Sequence, residues 1–272
     1  MTTLPELLAD LEAEYLDLRH LIEALPPDAR QWDMATPAVG WAVRDQISHL
    51  SFFDDAARTA LVEPAVFTEA AERTMAADGD PMEAHLTTGR SMAGDELLRW
   101  WDHAHSGMAT ALMVADPTAR VPWYGPPMGV MSFASARLME TWAHGQDVAD
   151  ALDRHREPTD RLRHVAHLGV RARPFSYLVH GQNEPPGCID VSLVAPSGER
   201  WAWQVGVAGE EDSSNASIQG AALDFCLVVT QRRNVVDTEL TVTGASAAEW
   251  MALAQAFAGP PGPGRPPIKA AE

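Results

Sequence analysis

Cysteine is nearly missing from the 272 residues: Cys188 and Cys226 form no C-x-x-C pair, and both sit in apolar surroundings. A disulfide framework is therefore excluded, and the two thiols read as small buried hydrophobes of a reducing compartment. Lysine is scarcer still, because every one of the 20 basic residues except Lys269 is arginine. Positive charge as a whole falls short, at 20 basic against 38 acidic residues and a formal net charge of −18. Such a field repels phosphate backbones and anionic headgroups, and no basic cluster overrides it, so neither nucleic acid nor membrane is an expected partner. No apolar run approaches the roughly 18 residues that a membrane span needs. The opening MTTLPELLADLEAEYLDL lacks the basic start and continuous apolar core of a signal peptide. A cytoplasmic protein is expected. G-x-S-x-G elbows, dinucleotide fingerprints and internal repeats are absent as well.

What is present is ordinary globular composition, 46% hydrophobic and 21% charged, at a length that suits two domains. Leu4, Leu7, Leu8, Leu11, Tyr15, Leu18, Ile22 and Leu25 recur at helical spacing before Pro26 and Pro27 stop the pattern. A second helix is expected over about 41–61, then an irregular crossover, a third helix over about 82–114, and a fourth over about 128–153 behind a Pro/Gly-rich segment. These four make a helix bundle over residues 1–155. Beyond it, residues 159–173 read as helix, CIDVSLVAP, ERWAWQVGV and DTELTVTG as antiparallel strands, and GAALDFCLVVTQRR and ASAAEWMALAQAFAG as helices. Residues 156–259 are thus expected to be a smaller α+β domain, followed by a mobile Pro/Gly-rich tail at 260–272.

The fourth helix carries an unusual stripe in RLMETWAHGQD, where Glu140, His144 and Asp147 share a face among apolar neighbours. Burying a carboxylate there costs several kcal/mol unless a partner offsets it, and a metal ion is one such partner. Glu140 and His144, one turn apart, reach a single ion, and His49 beside the apolar stripe of the second helix offers a third ligand. Two imidazoles and one carboxylate leave a coordination position open, as catalytic metals require. On spacing alone an exposed Glu–His pair and a core His49 bonded to Asp45 remain alternatives. Asp147 reads either as a group orienting an imidazole or water or as a solvated aspartate, and Trp123, Tyr124 and Trp142 either as pocket aromatics or as core. His103 and His105 point to different sides of a helix and cannot chelate one ion.

GWAVRDQISHL, followed at residues 140–147 by ETWAHGQD, resembles the metal-binding signature of the DinB-like bundle superfamily, in its mycothiol-dependent maleylpyruvate isomerase branch. PWYGPPMGVMSFASARLMETWAHGQDVADAL and ALDFCLVVTQRR are most similar to an actinobacterial metal-binding group within it. The resemblance implies an N-terminal DinB-like four-helix bundle, a C-terminal sterol-carrier-like α+β domain, and a divalent metal, usually zinc, held by His49, Glu140 and His144. It also implies a substrate-binding arginine at Arg232, although Gln231 replaces the family's glycine and Arg233 follows at once. The implied partners are a small substrate and a low-molecular-weight thiol such as mycothiol. The expected activity is isomerisation of, or S-transfer to, a small electrophile bearing a carboxylate. A thiol-independent metal-dependent hydrolase, lyase or cyclase is one alternative, and a non-enzymatic small-molecule or lipid-binding protein is another.

Overall fold

Helix α1 starts on a capping box: Thr3 Oγ1 accepts from the Glu6 amide at 3.4 Å, while Glu6 Oε2 accepts from the Thr3 amide at 2.7 Å. Two amides that a first helical turn leaves unserved are thereby satisfied, and Pro5 is harmless there because it has no N–H to place. The computed structural model describes residues 2–76, 83–206, 216–262 and 264–268. It divides into two units, Met1–Arg156 and Glu157–Glu272. The first contains α1 (Leu4–Ile22), α2 (Val43–Val62), α3 (Pro64–Ala76), α4 (Glu83–Arg90) and α5 (Gly94–Val114), then a short β1–β2 hairpin (Arg120–Val121, Met128–Gly129) and α6 (Val130–Ala151).

Helices α1, α2, α5 and α6 form the bundle. Its core takes Leu18 and Ile22 from α1, Ile47 and Leu50 from α2, Leu97 and Trp101 from α5, and Val148 from α6, closed by Trp32. Trp32 is fully buried and its indole donates to the Pro26 carbonyl at 3.0 Å. Only glycine lets α5 begin against it, since a Cβ on Gly94 would lie 2.3 Å from the indole nitrogen. The crossover differs from the irregular segment expected: Pro64–Ala76 is helical, and the single helix expected over 82–114 is two, α4 and α5. Periodicity missed α3 because it buries only Phe67, leaving no apolar stripe to read.

A buried ion pair spans the bundle. Asp54 Oδ1 on α2 accepts from Arg137 Nη2 at 2.8 Å and Nε at 3.2 Å on α6, with both side chains out of water. His105 of α5 stacks on Tyr15 at 3.9 Å, contacts Glu12 at 3.0 Å, and turns Nδ1 toward Asp54 Oδ2 at 3.8 Å. Burial opposes charging His105, but the two carboxylates outweigh it and its pKa is raised.

The second unit runs α7 (Leu162–Arg171), α8 (Arg173–Val179), β3 (Ile189–Val194), β4 (Arg200–Val205), β5 (Ser217–Ala221), α9 (Ala222–Val229), β6 (Thr241–Thr243) and α10 (Ala245–Leu253). Its sheet has the order β4-β3-β5-β6, antiparallel except for the β3–β5 pair, and α7 and α9 pack on it. Ile189, Val191 and Leu193 alternate inward along β3. Sequence reading missed β5, whose inward-facing Ile218 is followed two residues later by Gly220 and a helical run, and α8, whose Pro174 sits in the first turn, where proline is tolerated. The segment read as a mobile tail is tied down in part: Asn234 donates to the Arg265 carbonyl at 2.9 Å, and Asp237 accepts from the Ile268 amide at 2.8 Å. No described helix is long and apolar enough to cross a membrane.

Removing one partner of a buried ion pair strands the other charge. Asp54→Ala is expected to lose about 3–5 kcal/mol in urea unfolding, while the double substitution Asp54→Leu with Arg137→Met stays within about 1–2 kcal/mol of the parent.

Candidate metal centre

Helices α2 and α6 pack side by side, and each turns polar residues toward the other. Helix α2 opens with the Ala42 amide donating to Asp45 Oδ2 at 2.9 Å, which fixes the first turn one turn ahead of His49. Helix α4 is pressed onto the same stretch: Ser48 Oγ donates to the His85 carbonyl at 2.6 Å, and a Cβ on Gly89 would lie 2.5 Å from Ser48 Cβ. These contacts hold His49 facing α6.

There His49, Glu140 and His144 each offer one ligand atom, and the three atoms lie within 4.8 Å of one another. Glu140 Oε2 is 3.1 Å from His144 Nε2 and 3.9 Å from His49 Nε2. The side chains retain 21%, 10% and 13% of their exposure for Glu140, His144 and His49, so the cluster is only partly shielded from solvent. Burial pushes the His49 pKa down to about 3, with His144 acting in the same direction and Glu140 against it. His49 is therefore a neutral imidazole with a lone pair to give at neutral pH. Burial also disfavours ionised Glu140, but the two imidazoles more than offset this and its pKa lies well below the usual carboxylate range.

The donor set fits a divalent ion. A proton on His144 Nε2 would serve the 3.1 Å contact only, whereas an ion with bonds of about 2.0–2.2 Å serves all three atoms and keeps a position open. Trp41 stacks on the His144 ring at 5.9 Å and lies 5.2 Å from His49, while Phe53 lies 4.5 Å from His49. Phe53 leads on to Tyr124 at 5.6 Å and Trp123 at 6.0 Å, both partly exposed, and Trp123 stacks on Phe67.

Asp147 is fully buried one turn beyond His144. The group on His144 Nδ1 is Gln46, which sequence reading passed over. Its position three residues before His49, on the same helix face, was the available signal. Trp142 is buried, and its carbonyl accepts from Arg156 at 2.9 Å; Arg156 also pairs with buried Glu14. Arg232 belongs to the second unit, at the end of α9. The Arg232 amide donates to the Leu227 carbonyl at 2.7 Å and the Gln231 amide to Val228 at 2.9 Å, the paired closure of a Schellman turn. That turn needs a left-handed residue, and Gln231 supplies it at φ 59° where glycine is usual.

The pattern of the mycothiol maleylpyruvate isomerase N-terminal domain matches residues 11–149. Two uncharacterized Mycobacterium tuberculosis proteins, from strains CDC 1551 / Oshkosh and ATCC 25618 / H37Rv, are each 41% identical over 257 residues, 94% of this chain and 97% of theirs. Among solved structures, the mycothiol-dependent maleylpyruvate isomerase matches with a TM-score of 0.58 at 14% identity, over 89% of this chain and 93% of that one. A histidine-to-alanine mutant of that isomerase matches with a TM-score of 0.57 at 14% identity, over 90% and 94%.

Zinc binding at this cluster is expected to stabilise the fold by mass action, by about 2.7 kcal/mol at a hundredfold excess over Kd. A thermal melt of metal-stripped protein should rise by roughly 5–10 °C on adding zinc. His49→Ala should abolish the rise, and an equal rise in that variant would place the ion elsewhere.

Proposed function

The chain belongs to the mycothiol maleylpyruvate isomerase family, and we propose that it is a zinc-dependent, thiol-using enzyme: an isomerase or S-transferase acting on a small carboxylated electrophile. The observation that carries this reading is the convergence of His49, Glu140 and His144 with no fourth protein ligand among the described residues. Structural zinc is normally closed by four protein ligands, whereas three leave room for a reactant. When bound, a divalent ion supplies Lewis acidity, which makes a thiol or a water acidic enough to react as a nucleophile at neutral pH.

The chain's own groups do the rest. His49 and His144 bring neutral nitrogens, and Glu140 brings the one negative charge, so the site keeps a net positive charge once loaded and favours an anionic sulfur. Trp41 and Phe53 flank the two imidazoles with apolar rings and limit water there. Trp123, Tyr124 and Trp142 are the aromatic groups assigned to the substrate's body, and Asp147 to steadying the ligand helix. Arg232 is assigned to the substrate's carboxylate, which a guanidinium grips with two parallel hydrogen bonds. The reaction is assigned to the cytoplasm, where low-molecular-weight thiols stay reduced.

The test is a panel of small unsaturated acids, maleylpyruvate among them, assayed on zinc-loaded protein with and without mycothiol. Turnover that requires the thiol is expected, and Arg232→Met should lower kcat/KM by about tenfold to a hundredfold. Undiminished turnover in thiol-free buffer would replace this reading with a metal-dependent hydrolase, lyase or cyclase. A copurifying lipid with no turnover on any electrophile would replace it with a binding protein.

A further inference from the structure

The geometry points to Gln46 as a positioning residue: polarised by Thr36 and a backbone carbonyl, it holds a proton on His144 Nδ1 and so turns Nε2 toward the metal position before any ion arrives. The inference rests on the metal-centre reading above, and its logic is the direction of each hydrogen bond. Thr36 Oγ1 lies 2.9 Å from the Trp41 carbonyl and 3.5 Å from the Ala38 carbonyl. Carbonyls only accept, so the hydroxyl proton is committed to them and Oγ1 is left as an acceptor. Gln46 Nε2 donates to that oxygen at 2.9 Å. The amide is thereby oriented, since the flipped form would set two acceptors against each other.

Gln46 Oε1 consequently faces His144 Nδ1. An amide oxygen can only accept, so Nδ1 carries a proton, and Nε2, 3.1 Å from Glu140 Oε2, is the nitrogen turned toward the metal position. All of these groups are at least half-buried, and Gln46 is fully so. The turn at residues 35–42 supplies the fixed end: the Thr36 amide also donates to the Trp41 carbonyl at 2.8 Å, and the Trp41 amide to Ala38 at 3.0 Å. The same Trp41 stacks its ring on His144. One short turn therefore both covers the ligand and sets its proton. His49 differs, because its Nδ1 is buried with no hydrogen-bond partner among the described residues. His144 is the preset ligand and His49 the one that the ion itself must orient.

The experiment is NMR of both ring nitrogens in histidine-labelled, metal-stripped protein at mildly alkaline pH, beside zinc competition against a chromophoric chelator. His144 is expected to carry a proton on Nδ1 in the parent and in Thr36→Ser, which keeps the hydroxyl. Gln46→Met and Thr36→Val should lose part of the Nδ1–H signal and bind zinc about tenfold to a hundredfold more weakly. A parent His144 whose Nδ1 carries no proton would overturn the proposal. So would variants that keep both the Nδ1–H signal and the affinity. If Gln46→Met fails to fold, the Thr36→Val and Thr36→Ser pair decides the matter. Should the parent bind no zinc at all, the metal-centre reading fails while the metal-free tautomer still judges the relay.

Discussion

A carboxylate held mostly out of water between two imidazoles is the constraint on which the rest of the bundle depends. Glu140 sits 3.1 Å from one ring nitrogen and 3.9 Å from the other, and electron-rich atoms this close need a cation or a proton between them. The requirement fixes which faces of α2 and α6 meet. A rotation of either helix by one residue, about 100°, would carry its ligand out of reach. Supporting contacts oppose such a rotation from several sides, and each is made by a side chain the chemistry does not use.

Asp54 and Arg137 clamp α2 to α6 about a turn away from the ligands, and their ionic bond directs the packing more than it adds stability. Ser48 and Gly89 bring α4 onto α2 beside His49, and the glycine-dependent fit there tolerates no side chain at residue 89. Arg156 ties the end of the first unit to Glu14 on α1 and to the Trp142 carbonyl on α6. The ligand helix is thus held by buried polar bonds on one side and by the hydrophobic core of Leu18, Ile22 and Val148 on another. Rigid support of this kind is what a site needs if its ligands are to keep their geometry without an ion.

Much of this was legible in the sequence, for reasons that differ by residue. The one-turn spacing of Glu140 and His144 is common in helices and says little by itself, and what singled the pair out was His49, an imidazole on an apolar stripe that needs a partner. The bundle follows from the stripes of α1, α2 and α5, which bury one face each. Gln46 carried only the weak signal of sharing a helix face with His49: a glutamine near the start of an amphipathic helix reads as a solvent-facing residue, and the turn at 35–42 is what gives its amide a direction. Helix α3 escaped because it buries a single large residue, and β5 because its sheet partners come from β3 and β6, whose pairing no local pattern encodes. The short α8 packs around Arg173, a fully buried guanidinium bonded to Glu184 at 2.9 Å and to two backbone carbonyls, which a sequence pattern shows only as another charged residue.

The central claim is that His49, Glu140 and His144 hold one divalent ion with coordination to spare. X-ray absorption at the zinc edge, on untagged protein purified without added metal, tests it most directly. The account predicts about one ion per chain with two imidazole nitrogens and oxygen ligands at about 2.0–2.2 Å. A stoichiometric thiol added afterwards should bring in a single sulfur at about 2.3 Å. Protein that carries no metal and takes up none, or a shell of several sulfurs before any thiol is added, would contradict it.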